Sequence, residues 1–165
     1  ISEYGGPIEV MFVPFSEFHS AIISLDPKYE LLLFRRFIVK VAEILAKKRG
    51  EEALVMGDSV GQVASQTLPY LRLTDRDISL PILRPLVGFT KEEIMERARG
   101  FETYEASLER YKDCCSIIQK HPNTKSDVRQ VLEDEKLIPM KQLVQQTINE
   151  SETYHISSDT MRRIS

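Results

Sequence analysis

A chain of 165 residues with 42% hydrophobic and 28% charged side chains is long enough and apolar enough for one globular domain with a core, which excludes a disordered segment. Its formal charge of −3, with Lys and Arg interspersed among acids, argues against a surface dedicated to nucleic acid, because neutralising phosphates requires clustered cations. No apolar run approaches a membrane span and no charged-then-apolar leader opens the chain, so a cytoplasmic location is expected. Two cysteines, adjacent at Cys114 and Cys115, make neither a disulfide framework nor a zinc site.

In chain order, Ile8 to Phe15 is a β-rich run ended by Pro14 that reads as a buried strand, followed by a short apolar-periodic segment from Ser16 to Ile23. Asp26-Pro27 supplies an N-cap and a first-turn proline for a long helix with Phe34, Phe37, Ile38, Val41, Ile44 and Leu45 on one face. Lys47, Lys48, Arg49 and Gly50 close it with favourable charge and a terminator. A second strand, Ala53 to Met56, runs into V-M-G-D-S-V-G-Q-V-A-S-Q-T at Val55 to Thr67. There Ser59 and Gln62 have capping-box spacing, and Val60, Val63, Ala64, Thr67 and Leu68 share a helical face. A helix is therefore predicted to open directly after the Gly57 turn and to aim its free N–H groups at a ligand above the strand end. Ser59, Gln62 and Gln66 lie on another face, where carboxamides suit a base or ribose edge; an ordinary polar face accounts for the same residues.

A polar loop around Thr74 to Asp77 precedes the apolar run Pro81 to Leu86, and Thr90 with Glu93 caps a helix through about Arg99. Asp127 to Glu135 and Met140 to Glu150 read as two more helices, forming a terminal cap, with no strong strand after them; the residues past Tyr154 are polar enough to fray. The alternation of strands and helices predicts an α/β layer on a mostly parallel sheet, with ligands beyond the carboxyl ends of its strands. The expected organisation is one domain over residues 1–150 and a tail over 151–165.

Four ordered motifs are R-R-F at Arg35 to Phe37, G-D-S-V-G-Q-V-A-S-Q-T at Gly57 to Thr67, R-P-L-V-G-F at Arg84 to Phe89 and D-C-C at Asp113 to Cys115. Together they resemble the tRNA 4-thiouridine sulfurtransferases, also called thiamine biosynthesis proteins, of the PP-loop ATP pyrophosphatase superfamily. The resemblance spans roughly Ile8 to Ser151; Asp58 and Val60 stand where the family usually has Glu and Leu. It implies a three-layer PP-loop fold, adenine nucleotide alpha hydrolase-like and Rossmann-like, with C-terminal helices. The family's S-G-G-x-D-S phosphate loop is not in this sequence: Gly5-Gly6 is followed by Pro7-Ile8 and precedes a strand, whereas a phosphate loop opens a helix. The family's N-terminal tRNA-binding part and the rhodanese-like part of some members are also outside it. The expectation is a piece of a longer enzyme, truncated at the N-terminal end of this domain.

The carbonyl oxygen of uracil is a poor leaving group, and family members activate it by adenylation with ATP, releasing pyrophosphate before a sulfur nucleophile displaces AMP. The resemblance implies that Arg35, Gly57 and Gln66 hold ATP with Mg²⁺: Arg35 with positive charge near the phosphates, Gly57 by close backbone approach and Gln66 by a polar contact. Without the motif, Arg35 reads as a helix arginine with its stem packed on apolar neighbours. Cys114 matches the family cysteine that assists sulfur delivery, resolving the disulfide left after a donor persulfide, such as that of a cysteine desulfurase, gives up its sulfur. Lys112, Lys120 and His121 favour its thiolate and Asp113 opposes it, while Cys115 suits a buried inert thiol.

His19, His121 and His155 are far apart without ligand spacing, so no metal site is assigned. Arg84 sits at a strand end and is expected to face substrate, whereas Asp134 to Lys136 and Arg97 to Arg99 read as solvated helix faces. Two other readings fit the residues: a PP-loop enzyme that adenylates a different carbonyl, for which the D-C-C segment is the discriminator, and a non-catalytic nucleotide- or partner-binding module. The expected partners are tRNA, bound mainly by regions outside this sequence, the persulfide donor, and a second copy in a homodimer.

Overall fold

The computed structural model describes residues 6–61, 66–109, 127–157 and 160–164. In chain order the elements are β1 (Ile8–Phe12), α1 (Ser16–Ile22), α2 (Pro27–Arg49), β2 (Leu54–Val55), α3 (Leu68–Asp75), β3 (Ile82–Leu83), α4 (Lys91–Gly100) and α5 (Tyr104–Ser107). After them come α6 (Val128–Glu135), α7 (Met140–Asn149), β4 (Glu152–Ile156) and β5 (Met161–Arg163). No helix among the described residues is long and apolar enough to cross a membrane.

Helix α2 is the axis of the domain, and its ends form as its sequence dictates. Asp26 accepts a hydrogen bond from the Lys28 amide at 3.1 Å, Pro27 occupies the first turn, and Gly50 closes the helix in the left-handed region at φ 77°. Phe34, Phe37 and Val41 enter the core and Ile38, Ile44 and Leu45 pack against it. The amphipathic pattern captures only one face: Tyr29 to Phe37 is buried continuously, because α1, α3, α6 and α7 surround the rod. Phe18 of α1 stacks on Phe37 with ring centroids 4.2 Å apart, and Leu73, Val131, Val144 and Ile148 bring α3, α6 and α7 into the same cluster.

Strands β2 and β3 form the parallel pair that the alternation of elements calls for, in the register Leu54↔Ile82 and Val55↔Leu83. β1 does not join them. It pairs antiparallel with β4, from Ile8↔Ile156 to Phe12↔Glu152, and β4 pairs antiparallel with β5. The expectation of no strand after the last two helices is thus corrected: E-T-Y-H-I alternates and buries Thr153, and Tyr154 meets Phe12 edge-on at 5.2 Å.

Buried polar ties complete the packing. Arg36, 1% exposed, donates to both carboxylate oxygens of Glu135 on α6, to the carbonyls of Leu73 and Arg76, and to Asp77 at 3.0 Å. Burial opposes the charge on its guanidinium, but Glu135 and Asp77 outweigh this and raise its pKa. The expected solvated face at Asp134 to Lys136 is therefore corrected, since Asp134 is buried and accepts from Gln130, and Glu135 is the counter-ion of a buried arginine. Arg97 and Arg99 are exposed as expected, stacked over the rings of Phe89 and Tyr104.

Candidate functional site at the ends of the parallel strands

Ligands of open α/β sheets gather outside the carboxyl ends of parallel strands, and here that edge carries two of the motifs. β2 runs into Met56-Gly57-Asp58-Ser59 and β3 into Arg84-Pro85-Leu86. The ladder continues past the strands, with the Met56 amide donating to the Leu83 carbonyl at 2.9 Å. A third motif arrives from the side: Arg35 of α2 donates through Nη2 to Asp58 Oδ1 at 2.6 Å. Asp58 Oδ2 accepts from Arg84 Nε at 2.8 Å, so each oxygen of one buried carboxylate holds a different arginine.

Arg84 continues the chain of charges. Its Nη1 and Nη2 donate to the two oxygens of Asp75 at 2.9 and 2.5 Å, a bidentate fork at the C-terminal end of α3. Burial disfavours its charge, yet Asp75 and Asp58 together raise its pKa. Two arginines and two aspartates leave the cluster formally neutral. The expectation that Arg84 faces substrate is corrected accordingly, since its Nε and both terminal nitrogens are engaged by carboxylates within the protein. Arg35, expected to meet phosphate, is likewise paired with Asp58, although its Nε is buried without an acceptor among the described residues.

The predicted helix directly after Gly57 is also corrected. Ser59 does not cap a helix: its amide donates to Gln66 Oε1 at 2.9 Å and its hydroxyl to the Phe89 carbonyl at 2.7 Å. Gly61 turns through the left-handed region at φ 79°, which breaks helical geometry there, and α3 begins only at Leu68 with Pro69 in its first turn. Among the described residues no helix N-terminus therefore follows Gly57 directly. Gln62, Val63 and Ala64, assigned above to that helix, lie outside the described residues. The polar loop expected around Thr74 to Asp77 is in part the end of α3, with the Thr74 hydroxyl donating back to the Tyr70 carbonyl at 2.9 Å.

Of the residues singled out from sequence, Arg35 and Gly57 meet through Asp58, and Gln66 joins them through Ser59. Gly57 is exposed, and a Cβ built on it meets nothing within 4 Å. Cys114 and Cys115, with Asp113, Lys112, Lys120 and His121, lie outside the described residues. Sequence reasoning missed Asp58 and Asp75 as the carboxylates between the arginines. For Asp58 a signal was available, because parallel neighbours Val55↔Leu83 put Met56 and Arg84 level, two residues from the acid.

Among the described residues no group of three or more His, Cys, Asp or Glu side chains is placed to hold a metal ion. A solved structure described as a 4-thiouridine synthetase–RNA complex with bound ATP is similar to this chain with a TM-score of 0.85 and 32% identity, over 93% of this chain and 41% of that one. A probable tRNA sulfurtransferase of Acetivibrio thermocellus is 38% identical over 161 residues, 96% of this chain and 41% of the relative. Another from Thermoanaerobacter sp. is 41% identical over 138 residues, 82% of this chain and 36% of the relative. The chain thus spans about two fifths of the length of these relatives. The match to the family model described as thiamine biosynthesis protein (ThiI) extends over residues 1–140, and with the geometry above it establishes that the chain belongs to the ThiI family.

Proposed function

We propose that this chain is the part of an ATP-dependent tRNA sulfurtransferase that holds the nucleotide and delivers sulfur, with Arg35, Gly57 and Gln66 around ATP and its Mg²⁺ and Cys114 in the sulfur relay. The observation that carries this reading is the convergence of the R-R-F, G-D-S and R-P-L-V-G-F motifs at the carboxyl ends of β2 and β3. The site fits a nucleotide in two further respects: Arg35 Nε retains a buried donor, and the open face of Gly57 admits a ligand to the backbone. Similar proteins are named tRNA sulfurtransferases, and the similar solved structure is described with ATP and RNA.

When bound, ATP supplies an adenylyl group that turns the uridine carbonyl oxygen into a leaving group. Arg35 holds the Gly57 loop by its bond to Asp58 and adds cationic field beneath it, while the Gln66 carbonyl, fixed by the Ser59 amide, leaves its amide N–H groups for the ligand. The outer sulfur of a cysteine desulfurase persulfide attacks the activated carbon and expels AMP; the Cys114 thiolate then breaks the S–S bond so formed, freeing the thiolated uridine and leaving a mixed disulfide with the donor cysteine that an external dithiol reduces. The reaction takes place in the cytoplasm.

The test is Gly57→Val in the full-length protein that carries this chain. Because a Cβ there meets no atom within 4 Å among the described residues, the variant is expected to melt like wild type without nucleotide yet bind ATP at least about tenfold more weakly. Wild-type affinity in the variant, or a wild type that neither binds ATP nor releases pyrophosphate on tRNA, overturns the reading.

A further inference from the structure

The R-P-L-V-G-F segment engages the loop after β2 nearly residue by residue. Asp58 accepts from Arg84, the Ser59 hydroxyl donates to the Phe89 carbonyl, and the Val60 amide donates to the Val87 carbonyl at 3.1 Å. Among these contacts the one through Arg84 reaches a third element. Asp75, the last residue of α3, grips both terminal nitrogens of the guanidinium, and the negative end of the helix dipole adds to its hold on the cation.

We propose that Arg84 is a positioning residue of the nucleotide site: the fork on Asp75 aims its Nε at Asp58, and this sets where the backbone of Gly57 meets ATP. The inference rests on the nucleotide reading of Gly57 given above. Three donors in one rigid plane bridge two carboxylates from different elements, which a lysine ammonium, with one compact centre on a flexible stem, does not reproduce. Asp58 is 3% exposed and gains no comparable hold from water, so loosening Arg84 leaves the loop anchored on that side by Arg35 alone. The residue acts through Asp58 and does not itself touch the nucleotide.

Rates of pyrophosphate release by the full-length protein, measured separately against ATP and tRNA, test this with Arg84→Lys and Asp75→Asn. Each variant is expected to raise KM for ATP about tenfold while leaving KM for tRNA unchanged. The double variant is expected to match R84K alone, because both changes cut the same fork. A purely structural Arg84 would lower the melting temperature without moving KM for ATP, and that result overturns the proposal. Asp75 is more than a third exposed at 37%, so D75N remains a readable variant if R84K does not fold, and a wild-type KM for ATP in D75N overturns the proposal equally. Wild-type protein that neither binds nor consumes ATP removes the nucleotide reading and the latch with it; wild type that consumes ATP alongside indifferent variants removes the latch alone.

Discussion

Replacing Glu43 by Gln probes how α2 fixes the approach to β3. One oxygen of this carboxylate accepts from the Ser79 amide at 2.6 Å, the Ser79 hydroxyl at 2.7 Å and the Leu80 amide at 3.2 Å, with Lys47 at 2.9 Å. Burial pushes the Glu43 carboxyl up, but Lys47, Ser79 and Leu80 outweigh this and hold its pKa down from 4.5 to about 2. At ~1.36 kcal/mol per unit that difference corresponds to at most ~3.4 kcal/mol, and screening at the half-exposed Lys47 lowers the expectation to ~2 kcal/mol. Because the folded pKa is depressed, the stabilisation is complete above the unfolded value of 4.5 and is lost as pH falls towards 2. Urea unfolding of wild type and E43Q across this range is the assay, with the gap between them constant from roughly pH 7 to 5 and halved by about pH 3.2. A gap that is absent at neutral pH, or that does not shrink in acid, refutes the reasoning.

Two further outcomes follow from the same charge and capping arguments. Asp58→Ala strips Arg35 of its counter-ion, while Arg84 keeps Asp75, so the loss is expected near the low end of the range for a broken buried pair, ~3 kcal/mol by denaturant unfolding; a loss below ~1 kcal/mol would show that the pairing is not structural. Thr90 and Glu93 exchange the two hydrogen bonds of a capping box on a helix with no buried residue, so Thr90→Ala is expected to speed amide exchange at Glu93 several-fold and leave the global unfolding midpoint nearly unchanged.

Local chemistry made much of the fold legible. The Asp26-Pro27 start and Gly50 end of α2 and the Thr90–Glu93 box are each written within a few residues and formed as read. What escaped depends on distant partners. Nothing near Glu152 announces that it will lie beside Phe12, and β5, M-R-R, is exposed throughout and carries no apolar signal. At Ser59 the helix signature was overridden because Phe89, thirty residues on, takes the hydroxyl a cap would need. Motif matching singled out Arg35, Gly57 and Gln66 but gave Asp58 and Asp75 no role, because an ion pair is a property of two positions and a pattern reads one at a time.

Helix α2 works as a camshaft. Arg35 leaves it about 100° around from Arg36, and Glu43 lies about two turns further along the Arg36 face; each engages a separate follower: the Gly57 loop, the junction of α3 with α6, and the lead-in to β3. A residue inserted upstream of Arg35 would rotate all three by about 100° at once, setting each lobe against the wrong follower. A single substitution along this shaft disturbs one follower, whereas a change in its length between Pro27 and Glu43 disturbs all three.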